Sequence, residues 1–187
     1  MNAFETWVCG SSLWRYVTRR QLLPWVLRGS DLGDHLLELG AGPGAATEEL
    51  QRRAARVTSL EYDHTFAAKL RARGTNAAVL QGDAATLPFP DQIFSSAIAI
   101  LMLHHLKSPQ LQNYAVSEIF RVLRPGGVFL AIEIQDSWLN RVAHIRSTFV
   151  PVSPASASAR LTLAGFSSVT FNFRRGGFRI KALRAAA

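Results

Sequence analysis

The stretch LLELGAGPGAAT, residues 36–47, interrupts an apolar run with three glycines in five positions. Gly40, Gly42 and Gly44 carry no Cβ, so the backbone can turn tightly there and a ligand can approach the amide groups. A strand that ends in glycines and continues into a helix is typical of the ligand-binding edge of an open parallel sheet. The spacing G-x-G-x-G is weak evidence alone, because ordinary strand-to-helix turns also contain glycines.

Apolar stretches alternate with helix-like stretches along the chain, which predicts a mostly parallel sheet with helices on both faces. The run AIAILML suits a central strand that is buried on both sides. Two strands around Gly176 and Gly177 predict an antiparallel hairpin at the end of the sheet. The predicted strands are 35–39, 56–60, 77–81, 93–100, 128–134, 168–175 and 178–183. The predicted helices are 45–54, 64–71, 110–123 and 159–164, with a loop at 150–158.

The first thirty residues have a helical pattern and contain Trp7, Trp14 and Trp25 among several arginines. We therefore expect an N-terminal helical segment, residues 1–30, followed by one domain, residues 31–187, since a domain typically holds about 100–200 residues. The segment can serve as a lid over the site, pack on the flank of the sheet, or rest on a membrane surface as a peripheral contact. The first two interpretations are favoured over the third.

Cysteine content and hydropathy indicate the cellular compartment in which the chain is expected. Cys9 is the one cysteine, so no intramolecular disulfide can form and a reducing cytoplasm is expected. The longest apolar run, residues 97–103, is much shorter than the roughly 20 residues that a spanning helix needs. The N-terminal residues also lack the pattern of a secretory signal. A soluble, cytoplasmic protein is the expectation.

The net charge of +8 is concentrated near the C-terminus. Residues 137–187 contain 8 basic and no acidic side chains, whereas the charges of residues 1–136 cancel. Such a segment can attract an anionic partner, for example a phosphate-bearing substrate, a lipid headgroup or a nucleic acid. It can equally be a solvated basic face, because the charges are scattered among apolar residues.

Two acidic residues follow the next predicted strands. Glu61 comes about 20 residues after the glycines, where a carboxylate can accept hydrogen bonds from both ribose hydroxyls. Asp83 ends the third strand and can accept from an exocyclic amine such as that of adenine. A dinucleotide site fits less well, since its fingerprint is G-x-G-x-x-G and Pro43 removes one amide donor. The pattern predicts a pocket for a nucleoside without phosphates.

Five ordered motifs carry a family resemblance over about residues 36–134: LLELGAGPG, SLEYD, GDAATLPFP, LMLHHL and EIFRVLRPGGVF. With them the chain resembles the class I S-adenosylmethionine-dependent methyltransferases, in particular the methyltransferase type 11 group. The resemblance implies a Rossmann-like seven-stranded, mostly parallel sheet with a C-terminal antiparallel hairpin and helices on both faces. It also implies S-adenosyl-L-methionine as cofactor.

The resemblance assigns roles to residues at the strand ends. The glycine segment would contact the methionyl part, Glu61 the ribose, Tyr62 the face of the adenine and Asp83 its edge, while the end of the fourth strand would line the methionyl part. The implied cofactor-binding residues are Glu38, Gly40, Ala41, Gly42, Glu61, Tyr62, Asp83, Ala84, Ile100 and Leu101. No metal ligand set is predicted.

The acceptor side has three candidate catalytic residues, His104, His105 and Glu133. Both histidines can instead be structural residues of a strand-to-helix turn, which we favour. Glu133 and Asp136 can orient or deprotonate an acceptor, or cap the next helix. His144 can pair with an anionic group.

The function expected from the resemblance is methyl transfer to a small-molecule or lipid-headgroup acceptor. One alternative is a nucleic-acid methyltransferase, because the opening resembles ribosomal adenine dimethylases up to SLEYD. Those enzymes carry an N-[IL]-P-Y-type motif where this chain has AILMLHH, which makes a nucleic-acid partner a weaker hypothesis. Another is a cofactor-binding protein without catalysis. The segment at residues 136–160 is short, so a homodimer is a further hypothesis for how the site is completed.

Overall fold

The computed structural model describes residues 2–186 of the chain. Met1, the first residue of the predicted N-terminal segment, and Ala187, the last residue of the predicted domain, lie outside the described residues. The strands are β1 His35–Leu39, β2 Arg56–Glu61, β3 Ala78–Gln81, β4 Phe94–Ile100, β5 Leu123–Ile134, β6 Ser168–Arg174 and β7 Gly177–Leu183. The helices are α1 Ala3–Gly10, α2 Ser12–Val17, α3 Leu23–Val26, α4 Thr47–Leu50, α5 His64–Arg71, α6 Pro109–Val122, α7 Trp138–Ala143 and α8 Pro154–Ala164.

The strands form one sheet in the order β3-β2-β1-β4-β5-β7-β6. The pairs from β3 to β5 are parallel, whereas β7 runs antiparallel to β5 and to β6. The prediction of a Rossmann-like, mostly parallel sheet with a C-terminal antiparallel hairpin is therefore confirmed. The chain builds outward from β1 to β3 and then returns to place β4 on the other side of β1. This reversal opens a crevice at the carboxyl ends of the strands, where ligands bind in such sheets.

Helices cover both faces of the sheet because the central strands are apolar on both sides. On one face Leu37 and Leu39 belong to a buried cluster that includes residues of α6 and α8. On the other face Leu36 packs in a second buried cluster with residues of α3 and α4. β1 is thus packed on both faces, and this packing fixes the position from which the following segment starts.

Three predicted boundaries are wrong. The strand predicted at 128–134 begins at Leu123, the last residue of the predicted helix 110–123, because Leu123 already pairs with Phe94 of β4. Residues 45–54 were predicted as a helix, but α4 is a single turn, since Ala46 provides no side-chain cap and residues 51–54 form turns. The predicted loop at 150–158 contains the start of α8 at Pro154. The Oγ of Ser153 accepts from the backbone N–H of Ser156, the Oγ of Ser156 accepts from that of Ser153, and proline is well tolerated in the first turn.

The N-terminal segment is helical, as predicted, and contains a π-helical turn at Thr18–Leu22 between α2 and α3. Trp25 is buried against the sheet, and the guanidinium of Arg174 lies 4.7 Å from the centroid of its ring. Within residues 2–186, every helix is too short or too polar to cross a bilayer. The cytoplasmic location stays a prediction.

Candidate functional site

The carboxyl ends of β1 to β4 open into a cavity of about 550 Å³. This volume lies within the range of roughly 300–1,000 Å³ that is common for small-molecule sites. The ten residues implied to bind the cofactor all line the cavity: Glu38, Gly40, Ala41, Gly42, Glu61, Tyr62, Asp83, Ala84, Ile100 and Leu101. The structure thus brings them together, and their role in binding stays a prediction.

Residues 40–44, which follow β1, form a bend that we call the glycine bend. Two of its positions require residues without a Cβ. Gly40 and Gly42 have φ values of +66° and +56°, in the left-handed region that glycine adopts at little cost. A Cβ on Gly40 would lie 2.4 Å from Cγ of Met102, so the bend and the end of β4 are in close contact. The N–H of Gly40 donates to the carbonyl of Leu60 at 2.9 Å. The bend is therefore held against both neighbouring strands.

Glu61, the last residue of β2, is bound to the backbone around it. Its Oε2 accepts from the N–H of Gly42 at 2.7 Å, and its Oε1 accepts from the N–H of Asp63 at 2.8 Å. The side chain is buried, and this burial raises the pKa of the carboxyl above its ordinary value. A carboxylate has about four lone-pair positions, so two hydrogen bonds leave it able to accept more. Glu61 can hold a pair of hydroxyl groups in the cavity.

Asp83 follows β3 in a tight turn beside Glu61. Its Oδ1 accepts from the N–H of Ala85 at 2.8 Å, which fixes the orientation of the carboxylate. Ala84 is buried on the cavity wall, whereas Tyr62 is 64% exposed at its rim. An acceptor group, a small wall residue and an exposed aromatic ring therefore surround this part of the cavity. The arrangement suits a flat heteroaromatic base with an amino group.

Glu38 is a second buried acid, located within β1. The hydroxyls of Thr47 and Ser59 donate to its Oε2 at 2.8 and 2.7 Å, and these hydrogen bonds connect β1 to α4 and β2. Burial raises the pKa of Glu38 to about 7, although the two hydroxyls act in the opposite direction. Because its Oε2 accepts from both hydroxyls, Glu38 positions the elements around the glycine bend.

The end of β4 supplies the opposite wall. Leu101 has a φ of +54°, which is unusual for a residue with a branched side chain and costs on the order of 1–3 kcal/mol. Its N–H donates to the carbonyl of Ile132 at 2.9 Å, which holds the strained residue in place. Such strain is common at functional sites. The side chains of Ile100 and Leu101 face the cavity.

His104 and Glu133 form a buried pair beyond this wall. His104 is 2% exposed and Glu133 is fully buried, and Nδ1 of the histidine lies 2.5 Å from Oε2 of the glutamate. The other carboxylate oxygen of Glu133 accepts from the N–H of Leu103 at 2.8 Å. His104 lines the cavity, whereas Glu133 lies behind it. Glu133 therefore acts on the cavity only through the histidine that it orients.

His105 and His144 complete a cluster around His104. The ring centroid of His104 lies 4.3 Å from that of His105 and 5.2 Å from that of His144. Burial lowers the pKa of His105 to about 3, with the neighbouring histidines acting in the same direction, so its imidazole is neutral at physiological pH. Both rings line the cavity. Asp136, by contrast, is exposed and pairs with Arg141.

The cavity also has residues from the N-terminal segment that motif reasoning missed. These are Glu5, Val8, Cys9, Trp14 and Thr18. The tryptophan content of this segment is the feature of the sequence that could have indicated its place in the cavity wall. Burial raises the pKa of the Cys9 thiol to about 11, helped by the nearby carboxylates of Glu5 and Glu61. Helices α1 and α2 therefore form part of the cavity wall.

Comparison with known proteins gives a consistent family. The family model described as a methyltransferase domain matches residues 37–131, about half of the chain. A protein of Mycolicibacterium smegmatis named a probable S-adenosylmethionine-dependent methyltransferase is 36% identical over 122 residues, which cover 65% of this chain and 44% of that protein. A demethylmenaquinone methyltransferase of Beutenbergia cavernae is 31% identical over 121 residues, covering 65% of this chain and 47% of that protein.

These relatives are longer than this chain, which spans about half the length of the curated relatives that it matches. Among solved structures, a chain of the complex between the Haloferax volcanii Trm112 methyltransferase activator and a methyltransferase superposes with a TM-score of 0.78. The superposition covers 99% of both chains at 17% identity. At that identity, the structural similarity supports the fold alone.

Proposed function

Because the chain belongs to the class I S-adenosylmethionine-dependent methyltransferase family, we propose that it transfers a methyl group from S-adenosylmethionine to an apolar small-molecule or lipid acceptor. The observation that carries the proposal is the shared cavity. Along the sheet edge it presents Asp83, Glu61, the glycine bend and then the histidine cluster, in the order of the strands. This order leads from a base-binding end, through the ribose and methionyl parts, to an acceptor end.

The residues present fit the cofactor. Glu61 retains lone pairs for the ribose hydroxyls, and it is already fixed by the N–H groups of Gly42 and Asp63. The Oδ1 of Asp83 is bound to Ala85, which leaves Oδ2 to accept from the amino group of adenine. The glycine bend offers bare backbone to the methionyl part. No phosphate-binding group is needed for this ligand.

The acceptor end has a mainly apolar wall. Leu101, Met102, Leu106, Leu111 and Ile134 contribute to it. Such a wall favours a flat or aliphatic acceptor with one or two polar atoms over a highly charged one. The relative that is named as a demethylmenaquinone methyltransferase supports a lipophilic acceptor. The same wall makes a flipped nucleobase a poorer fit, since the segment after β4 has no asparagine or tyrosine.

Catalysis in this site depends mainly on orientation. S-adenosylmethionine supplies an electrophilic methyl group, to which a lone pair of the acceptor bonds while the carbon–sulfur pair stays on sulfur. Alignment of this kind can provide effective molarities on the order of 10⁵ M. His105 is neutral and can accept a hydrogen bond from an acceptor hydroxyl, but with a pKa of about 3 it is too weak a base to keep that proton. Glu133 keeps the ring of His104 in place. A neutral amine acceptor would need no base.

The N-terminal segment acts as a lid in this proposal. Val8 and Trp14 add apolar surface to the cavity, and a closed site excludes water from the reacting groups. The side chain of Asn2 donates to the carbonyls of Ala143 and Ile145 at 3.0 and 2.9 Å. These contacts connect the start of α1 to the segment that follows α7.

A transfer assay tests the proposal. The full chain is incubated with methyl-labelled S-adenosylmethionine and, in separate reactions, with a metabolite extract, a lipid extract and total RNA. We expect label in an organic-soluble product and none in RNA, and we expect Glu61→Gln to reduce that label strongly. Label confined to RNA would contradict the acceptor class. Binding of S-adenosylhomocysteine without label in any fraction would favour the non-catalytic alternative.

A further inference from the structure

Three histidines from two distant segments meet at the acceptor end of the cavity. His104 and His105 follow β4, whereas His144 caps α7. One ring nitrogen from each histidine lies within 4.8 Å of the others. The nitrogen ligands of one tetrahedral zinc ion, each about 2.0–2.1 Å from the metal, lie about 3.3 Å apart. Binding one ion therefore requires the three nitrogens to approach one another by about 1.5 Å at most.

Nδ1 of each histidine lies within hydrogen-bond distance of an acceptor oxygen. Nδ1 of His104 lies 2.5 Å from Oε2 of Glu133, and Nδ1 of His144 lies 2.6 Å from the carbonyl of Asn140. Nδ1 of His105 lies 3.3 Å from the carbonyl of Thr148. An acceptor at Nδ1 places the proton there and leaves Nε2 with its lone pair in a neutral ring. Metal-binding histidines typically have such a carboxylate or carbonyl partner.

The charges around the cluster also favour a cation. Glu133 is fully buried, and Glu5 is 8% exposed with its Oε1 lying 3.5 Å from Nε2 of His144. Among residues 2–186, Oε1 of Glu5 has no hydrogen-bond partner, and neither carboxylate pairs with a lysine or an arginine. Buried charges are normally compensated, and a cation bound among the three imidazoles would compensate both acids.

We propose that His104, His105 and His144 bind a divalent transition-metal ion of the zinc class, oriented by Glu133 and the two carbonyls. Imidazole nitrogens suit zinc, and three protein ligands leave a fourth position open. That position faces the cavity, because all three rings line it. A hydroxyl oxygen of the acceptor would occupy it after losing its proton to water, and this last step rests on the proposed function, whereas metal binding does not.

Calorimetric titration of the full chain with Zn²⁺ tests the site, with Co²⁺ absorption as a readout of imidazole ligation. We expect one ion per chain and a loss of affinity of at least about 100-fold in His105→Ala and His144→Ala. His64→Ala is the matched control, because His64 is exposed on α5 and outside the cavity; it should bind like the wild type. Glu133→Gln should weaken binding by about 10–100-fold, since it removes an orienting carboxylate.

Folding is checked by melting temperature and by S-adenosylhomocysteine binding, and His144→Gln serves as a second variant of similar size. No saturable Zn²⁺ binding, or equal binding by wild type and both His144 variants, would overturn the metal site. If wild type still binds S-adenosylhomocysteine in that case, the proposed function stands. If wild type binds Zn²⁺ but not S-adenosylhomocysteine, the proposed function fails and the metal site stands.

Discussion

At the scale of single residues, Glu61 is the side chain on which cofactor binding most depends. Its two oxygens hold the glycine bend and the start of α5 while keeping lone pairs for a ligand. Glu61→Gln keeps the size of the side chain but replaces one acceptor by a donor that faces a backbone N–H. Since hydrogen bonds to charged groups contribute about 1.5–3 kcal/mol, we expect S-adenosylhomocysteine to bind at least tenfold more weakly. Calorimetry measures this.

The matched control is Glu49→Gln, because Glu49 pairs with Arg52 and Arg53 outside the cavity. That variant should bind like the wild type. Equal affinities for the Glu61 variant and the wild type would contradict the assigned role.

Glu38 predicts a pH dependence of stability. Its pKa is raised from 4.5 to about 7 in the folded chain, so between these values the native state holds a proton that the unfolded state has released. The free energy of unfolding therefore falls as pH rises through this window, by roughly 3 kcal/mol from this residue. Glu38→Gln lacks this titration. Its stability relative to wild type should increase between about pH 4.5 and 7, as measured by urea unfolding.

A stability difference for Glu38→Gln that is constant with pH would show that folding does not raise the pKa of Glu38.

Cys9 offers a second titration within the cavity. With a pKa of about 11, raised first by burial and then by Glu5 and Glu61, only about 0.1% of the thiol is ionised at pH 8. Alkylation by iodoacetamide should be far slower than that of a free cysteine peptide and should increase about tenfold per pH unit up to pH 10. Mass spectrometry gives the rates. Rapid modification at pH 8 would contradict the burial of Cys9 beside acids.

From the sequence, residues that lie at neighbouring strand ends can be predicted to meet in one cavity, whereas their role in binding stays a prediction. The glycine bend, Glu61 and Asp83 each follow a recognisable apolar strand, and parallel strands bring their carboxyl ends together. Glu5 and His144 lie far from these motifs in the chain. Their approach to the cavity depends on how α1 and α7 pack, which no local pattern encodes.

At the scale of elements, the N-terminal helices are the part of the site that is most open to testing. Trp14 lines the cavity, whereas Tyr16 on the same helix is 59% exposed and outside it. If α2 covers the cofactor, Trp14→Ala should weaken S-adenosylhomocysteine binding about tenfold, mainly through faster dissociation. Tyr16→Ala should leave it unchanged. Stopped-flow kinetics separates the two rates, and equal dissociation rates in both variants would contradict the lid.

The carboxyl ends of the strands were predicted well, whereas the start of β5 and the bounds of α4 and α8 were predicted less well. Strand ends are marked by a change from apolar residues to glycine or acid, as at Leu39 and Glu61. Helix α8 begins earlier than predicted because a serine–proline pair, which resembles loop composition, is also a good helix start. Helix α4 is shorter than its composition suggests, since it has no side-chain cap. In α8 the composition resembles a loop but the capping favours a helix, and in α4 the composition favours a helix but the side-chain cap is missing.

At the scale of the whole molecule, part of the basic C-terminal segment is engaged within the fold, whereas Arg146 and Arg175 are exposed. Arg184 donates to the carbonyls of Phe120 and Leu123 at 2.6 and 2.8 Å, and its guanidinium lies over the ring of Phe120. Arg179 is buried and donates to the carbonyl of Arg28. These charges attach the final hairpin to the rest of the chain, so they are poorly placed for an anionic partner.

We therefore expect weak binding to RNA. A labelled RNA oligonucleotide should bind in the range of non-specific interactions, with a dissociation constant of about 10⁻⁴–10⁻⁶ M at physiological salt. Fluorescence polarisation over a salt series measures the affinity and its slope. Tight binding with a steep salt dependence would revive the nucleic-acid alternative.

The most direct test of the shared cavity is a crystal structure of the full chain with S-adenosylhomocysteine. We expect the ribose hydroxyls within about 3 Å of the Glu61 carboxylate, the adenine beside Asp83 and Ala84, and the sulfur facing His104 and His105. A nucleoside bound elsewhere, or one seated here without contact to Glu61 and Asp83, would contradict the account.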